Sequence, residues 1–174
     1  MSRKSRKTDF RTRIGVLSDT HIPKQAQNLP DKLLEEFATL DFIIHAGDFE
    51  NIDALKALKK VNRLVAVSGN MDSGKVKREL TSREVLNVDH YKIGIIHGWG
   101  DPHSLPKRMM EEFKDDEVDC VVFGHSHQVY NEIINDVLMF NPGSPTDTIY
   151  AHFKSYGILE TSPDGVSGEI IHPE

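Results

Sequence analysis

Val121-Val122-Phe123-Gly124-His125-Ser126-His127 is an apolar run that stops at a glycine and then presents two imidazoles one residue apart. The same grammar recurs four more times. Val16-Leu17 leads through Ser18 to Asp19 and His21, and Phe42-Ile43-Ile44 leads through Ala46-Gly47 to Asp48. Leu64-Val65-Ala66-Val67 leads through Ser68-Gly69 to Asn70, and Ile95-Ile96 runs straight into His97 and Gly98. Short apolar runs bounded by turn residues read as buried strands. Neighbouring strands that each carry an N or O ligand at the carboxyl end bring all seven side chains to one edge. Imidazole, carboxylate and one amide are ligands for a hard or borderline divalent ion. Seven are too many for one catalytic ion that keeps an open position, and they suit two. The chemistry implied is two-metal hydrolysis.

A lone histidine or aspartate at a strand end is ordinarily a satisfied polar residue or a turn cap. Five such fragments in one chain are not independent accidents. Seven of the nine histidines lie between Asp19 and His127, and four of those, His21, His97, His125 and His127, stand at ligand-type positions. His45, two residues before Gly47 on an apolar run, reads as a hydrogen-bonded core residue. His90 falls in a hairpin turn and His103 in a loop, both open to solvent.

The element order follows. Strands are expected over 13–18, 41–45 and 63–67, with a helix from Pro30 through Leu33, Leu34, Phe37 and Leu40 and a second, capped by Asn51, over 52–60. This β-α-β-α-β beginning predicts parallel strands with right-handed crossovers and ligands beyond their carboxyl ends. The second half reads as a hairpin about Asp89-His90, a helix over 106–113, and a core strand over 119–123. Hairpins about Asn135-Asp136 and Pro163-Asp164-Gly165 complete it. The fold expected is α/β, with two mixed sheets packed face to face and helices outside: a four-layer α-β-β-α sandwich.

Composition narrows the function classes. The chain has 174 residues, enough for one domain with a sizeable core. Residues 2–13 hold six basic residues against Asp9, which leaves 15 basic and 26 acidic residues, a net charge of −11, for the remainder. An acidic body argues against a broad nucleic-acid surface, so no stable nucleic-acid complex is expected. Residues 1–12 read as a disordered basic tail and 13–174 as the single domain. Cys120 is alone, which excludes an intramolecular disulfide and fits a reducing compartment. It reads as a buried core residue rather than a nucleophile. No apolar run approaches the length of a membrane span and no secretory leader is evident, so a cytoplasmic location without a membrane partner is expected.

In this order, Asp19-Thr20-His21, Gly47-Asp48, Gly69-Asn70, His97-Gly98 and Gly124-His125-Ser126-His127 resemble the motifs of the calcineurin-like metallophosphoesterases. Asn141-Pro142-Gly143-Ser144 and the compact length are most similar to the small bacterial and archaeal phosphodiesterases of the YfcE type, a subgroup whose fold the retromer subunit Vps29 shares. The resemblance covers residues 13 to about 172. It implies one ion held by Asp19, His21, Asp48 and His127 and a second held by Asp48, Asn70, His97 and His125, with Asp48 between them. Asp48, Asn70 and His97 are then the candidate catalytic residues. The implied cofactors are two divalent ions, manganese first, with zinc, iron or nickel as alternatives. The implied activity is hydrolysis of small phosphodiesters, rather than monoesters, through a metal-bridging hydroxide. A homo-oligomer is compatible with the subgroup. The alternative reading is a non-catalytic, Vps29-like protein-binding scaffold with a vestigial metal site; seven intact ligand positions favour the enzyme. Two departures stand out. Met71 occupies the place where many members carry a histidine that assists the leaving group, and Trp99 replaces the second histidine of His-Gly-His.

Overall fold

A computed structural model describes residues 10–173. Most of the basic tail, residues 1–9, lies outside the described residues. Two five-stranded mixed sheets form the body. The first has the order β10-β9-β1-β2-β3 and the second β4-β5-β6-β8-β7. Strands β1 (Thr12–Leu17), β2 (Phe42–His45) and β3 (Leu64–Ala66) are parallel, as the β-α-β-α-β pattern requires. In the second sheet, β5 (Tyr91–Ile96), β6 (Cys120–Val122) and β8 (Val137–Pro142) are parallel to one another. Antiparallel partners close the sheets: β4 (Arg83–Val88) and β7 (Val129–Ile134) on the second, β9 (Tyr156–Ser162) and β10 (Gly165–Ile171) on the first.

Side chains alternate across each strand and so divide the apolar residues among three layers. Ile14, Val16, Phe42, Ile44, Ile95, Val122 and Phe140 fill the space between the sheets. On the outer face of the first sheet, Leu17 and Ile43 meet Leu33 and Phe37 of α1 (Asp31–Ala38), Leu55 and Leu58 of α2 (Ile52–Val61) and Val76 of α3 (Gly74–Glu79). On the outer face of the second sheet, Val121, Phe123 and Met139 meet Met109 of α4 (Leu105–Glu112) and Phe113 just beyond it. The α-β-β-α sandwich is therefore the architecture of the chain. Cys120 is fully buried between the sheets, and burial pushes its thiol pKa far up, so it packs and does not react.

The ten expected strands are all present, shifted by a residue or two at their ends. Asn51 caps α2 as expected, its side chain accepting the Asp53 N–H at 3.1 Å. Asn135 and Asp136 both have positive φ (50° and 66°), the backbone of a tight hairpin turn. Two short elements escaped periodicity: helix α3 and a 3-10 turn over Pro102–Ser104, where His103 was expected in a loop. The six residues of α3 contain one buried side chain, Val76, too little for a helical stripe to register. Among the described residues, no helix is long and apolar enough to cross a membrane.

Candidate metal centre

The carboxyl ends of β1, β2 and β3 in one sheet and of β5 and β6 in the other face the same edge, and the loops that leave them are sharply bent. Asp19 and His21, Asp48 and Glu50, and His125 and His127 all have positive φ, between 42° and 70°. Left-handed backbone at six non-glycine residues costs energy and concentrates at functional sites. Here it comes in i, i+2 pairs, one in each of three loops that carry candidate ligands. Cross-loop hydrogen bonds hold the bends: Asp19 N–H donates to Gly47 O at 3.0 Å, His21 N–H to Asp48 O at 3.0 Å, and Gly124 N–H to His97 O at 2.9 Å. Two glycines are dictated by this crowding. A Cβ at Gly69 would lie 2.1 Å from Asp48 Oδ1, and one at Gly124 would lie 1.8 Å from Ser18 Oγ.

The seven expected ligands come together. His21 Nε2 and His127 Nε2 stand 3.1 Å apart, with Asp19 Oδ1 3.3 Å from the latter. His97 Nε2 lies 3.1 Å from Asp48 Oδ2 and 3.1 Å from Asn70 Oδ1, which His125 Nδ1 approaches to 3.2 Å. Two three-residue groups have their ligand atoms all within 4.8 Å of one another: Asp19, His21 and His127, and Asp19, Asp48 and His97. Asp19 belongs to both. Asp48 Oδ2 also faces both, at 3.8 Å from His21 Nε2 and 3.1 Å from His97 Nε2.

The two carboxylates are prepared in the same way. Asp19 Oδ2 accepts the Ser18 hydroxyl at 2.6 Å and the His125 N–H at 3.0 Å, while its Oδ1 is buried without a hydrogen-bond partner. Asp48 Oδ1 accepts the Met71 N–H at 2.7 Å and leaves Oδ2 directed at the histidines. A buried carboxylate oxygen with no donor is costly, and a cation placed beside it removes the cost. That oxygen is the feature of this chain that fits a divalent ion.

The imidazoles are oriented from behind. His21 Nδ1–H donates to Glu50 Oε1 at 2.8 Å, His97 Nδ1–H to Ala46 O at 2.8 Å and His127 Nδ1–H to Asp147 Oδ2 at 2.5 Å. Each partner holds the proton on Nδ1 and aims the Nε2 lone pair inward, the usual support of a metal-ligating histidine. His125 is turned the other way, with Nδ1 toward Asn70 Oδ1.

Without a metal, protons take over the compensation. Burial works against charge on His97, but Asp19 and Asp48 outweigh it and raise its pKa to about 9. His127 likewise rises to about 9 against burial, through Asp19 and Asp147. Burial would raise Asp19, yet His127 and His97 bring it down to about 2. His125, half-buried and beside His97, is pushed down. His45 is the core residue expected: fully buried, stacked on Phe49 at 3.6 Å, accepting the Gly47 N–H at Nδ1 and paired with Thr20 at Nε2. Burial lowers its pKa to about 3, so it cannot serve as a proton donor near neutral pH.

Several supporting residues escaped the sequence reading. Asp72 accepts backbone N–H groups from Asp48, Glu50 and Gly69 at 3.1, 2.7 and 2.7 Å and ties two ligand loops into one unit. Asp147 takes the N–H groups of Ile149, Tyr150 and Ala151 besides His127. Ser144 donates to Asp19 O at 2.7 Å, and Asn141 donates to Gly124 O at 3.0 Å, which explains Asn141-Pro142-Gly143-Ser144 as a brace between the Asp19 and His125 loops. That motif carried a signal; Asp72 and Asp147 carried none, because isolated aspartates in loops are ordinary.

The chain is similar to known proteins in sequence and in fold. A probable metallophosphoesterase of Methanocaldococcus jannaschii is 39% identical over 136 residues, covering 76% of this chain and 68% of the relative. A phosphodiesterase of the same archaeon is 28% identical over 165 residues, covering 86% and 93%. In fold, Vacuolar Protein Sorting 29 from Cryptosporidium parvum superposes with a TM-score of 0.75 over 95% of this chain and all of its own, at 24% identity. Residues 12–164 match the calcineurin-like phosphoesterase superfamily domain, a range that includes every strand but β10 and every ligand loop, and the chain belongs to that family.

Proposed function

We propose that the protein is a metal-dependent phosphodiesterase acting on small phosphodiesters. The observation that carries the diester preference is a pair of clefts that both reach the ligand cluster and share Asn70. One, of about 580 Å³, runs from Asn70 and His97 past Trp99; the other, of about 470 Å³, runs from Asn70 and His127 past Met71 and Tyr150. A monoester has one organic arm to place, and a diester has two. The phosphodiesterase named among the relatives supports the same choice.

Asp19, His21, Asp48 and His127 would hold one divalent ion and Asp48, Asn70, His97 and His125 the other, with Asp19 Oδ1 available to either. When bound, such ions supply a nucleophilic water at neutral pH and positive charge for the phosphoryl oxygens. The chain's own groups do the rest. Asp19, Asp48 and the backed imidazoles hold the cluster rigid, and the clefts orient the two ester arms. Hydrolysis forms one bond from water oxygen to phosphorus and breaks one P–O ester bond, and the departing oxygen must end with a proton. Met71, half-exposed in the second cleft, has none to give, and His45 is sealed in the core.

The test is a screen of phosphodiesters, monoesters and cyclic nucleotides with protein freed of metal and then reloaded with manganese, zinc, iron or nickel. Metal-dependent turnover of diesters above monoesters is expected, with close to two ions per chain. A chain that binds ions but turns over no ester would instead favour the Vps29-like scaffold reading.

A further inference from the structure

The first cleft has chemical character beyond its volume. Trp99, the only tryptophan of the chain, is 45% exposed at its wall immediately after the candidate ligand His97 and Gly98. Its backbone is anchored, since Arg108 donates to the Trp99 carbonyl and to Ser104, so the indole is presented on a fixed loop. The same cleft is lined by Lys77 of α3, whose ammonium donates to Asn70 O at 2.9 Å. A carbonyl partner fixes that ammonium in place without cancelling its charge. Lys75 and Arg78 on the same short helix are also exposed. Arg83, also in the cleft, is committed elsewhere: it pairs with Asp116, donates to the Glu112 carbonyl and lies 4.1 Å over the Phe113 ring. Glu112 also lines the cleft and adds a negative charge there, which leaves Lys77 as its cation for an anion.

A flat aromatic surface, a fixed cation and a cleft of about 580 Å³ opening from the ligand cluster form a recognisable combination. Aromatic faces stack nucleobases of any sequence, and a lysine ammonium meets phosphate as a point charge. The volume falls in the range of small-ligand pockets. We propose that the ester arm seated in this cleft is a nucleotide unit: its base stacks on Trp99, its own further phosphate meets Lys77, and the scissile phosphate lies over the ligand cluster. The inference rests on the phosphodiesterase reading and specifies its substrate class as short nucleotidyl diesters, such as dinucleotides bearing a terminal phosphate. The acidic remainder of the chain keeps this recognition local, a unit or two rather than a long strand.

The experiment has two readouts. In the first, kinetics of the metal-loaded protein are compared for the p-nitrophenyl ester of thymidine monophosphate, the same nucleoside ester carrying a second phosphate, and methyl p-nitrophenyl phosphate. Trp99→Ala should raise KM for both nucleoside esters about tenfold and leave the methyl ester unchanged, with Trp99→Phe recovering most of the loss. Lys77→Met should erase the advantage of the second phosphate, about five- to tenfold, and spare the other two substrates. Equal effects of Trp99→Ala on all three esters, or none, would overturn the stacking role. A uniform fall with Lys77→Met would show that Lys77 only positions Asn70. In the second readout, Trp99 fluorescence is titrated with adenosine 3′,5′-bisphosphate, adenosine monophosphate and ribose 5-phosphate. Saturable quenching, tightest for the bisphosphate and absent for the sugar phosphate, is expected; no quenching by either nucleotide overturns the proposal. If the wild-type protein hydrolysed no diester, the phosphodiesterase reading would fall, while the quenching would still decide whether a nucleotide occupies the cleft.

Discussion

The first sheet supplies the charge of the candidate centre and the second supplies only imidazoles. Asp19, Asp48, Asn70 and His21 leave β1, β2 and β3, whereas His97, His125 and His127 leave β5 and β6. In the metal-free chain the division is complementary: Asp19 is held ionised while His97 and His127 are held protonated across the same gap. Each sheet alone carries half a site, with the ligand carboxylates Asp19 and Asp48 on one side and most of the imidazoles on the other. Burial between two docked sheets is what makes the halves useful, because charges there are screened less than in water.

The sharpest way to break this division is to remove charge from the first sheet. Asp48→Asn should lower metal-dependent activity by more than about 10²-fold, since even outer partners of metal ligands are worth 10–100-fold, and should reduce metal content by elemental analysis. Asn70→Asp adds an anion on the same side and should retain ions while slowing turnover less. Wild-type activity in Asp48→Asn would remove the assigned role.

Next in size is the proton for the leaving group, which neither sheet visibly provides. Rates across a series of aryl and alkyl phosphodiesters should fall steeply as the leaving group worsens. Met71→His should flatten the slope, with general acid assistance worth about 10²–10⁴-fold. A flat series in the parent protein, with chemistry rate-limiting, would reveal a donor elsewhere.

The backing residues compare the sheets directly. Glu50→Gln loosens His21 on the first sheet and Asp147→Asn loosens His127, a ligand carried by the second. Each should weaken metal affinity about 10–100-fold by calorimetry. Asp147→Asn should be the larger, because that carboxylate also gathers three backbone N–H groups.

The smallest effect is in stability. A histidine raised from 6.5 to about 9 on folding stabilises the metal-free chain fully below pH 6.5, and the gain is lost as pH rises through 9. Asp19, lowered from 3.8 to about 2, stabilises above pH 3.8, and its contribution is lost as pH falls through 2. Thermal melts of metal-free protein should therefore decline between pH 6.5 and 9, while manganese should raise Tm and flatten that decline, because coordination uses neutral imidazole. Proton release on metal addition at neutral pH, read from calorimetry in buffers of different ionisation enthalpy, checks the same point.

Much of this was legible in the chain alone. Residues 13–67 announce parallel strands because apolar runs of strand length alternate with helical stripes, and both signals are local. The ligand types were legible for the same reason: a small residue followed by Asp, Asn or His ends four of the runs, and His97 ends the fifth directly. Helix α3 was not, since one buried valine makes no stripe. Asp72, Glu50 and Asp147 were not, since their partners are chosen by contact and not by spacing.

The sequence by itself determined the ten strands and the seven side chains able to bind a metal. Only the tertiary structure decided which of them meet. His21 and His127 are separated by 106 positions and stand 3.1 Å apart because two sheets pack face to face. The orphaned oxygen of Asp19, the left-handed bends and the two clefts that converge on Asn70 arise from the same docking. Backbone periodicity is a short-range property of the chain, whereas the meeting of two strand ends depends on every apolar contact that packs one sheet on the other.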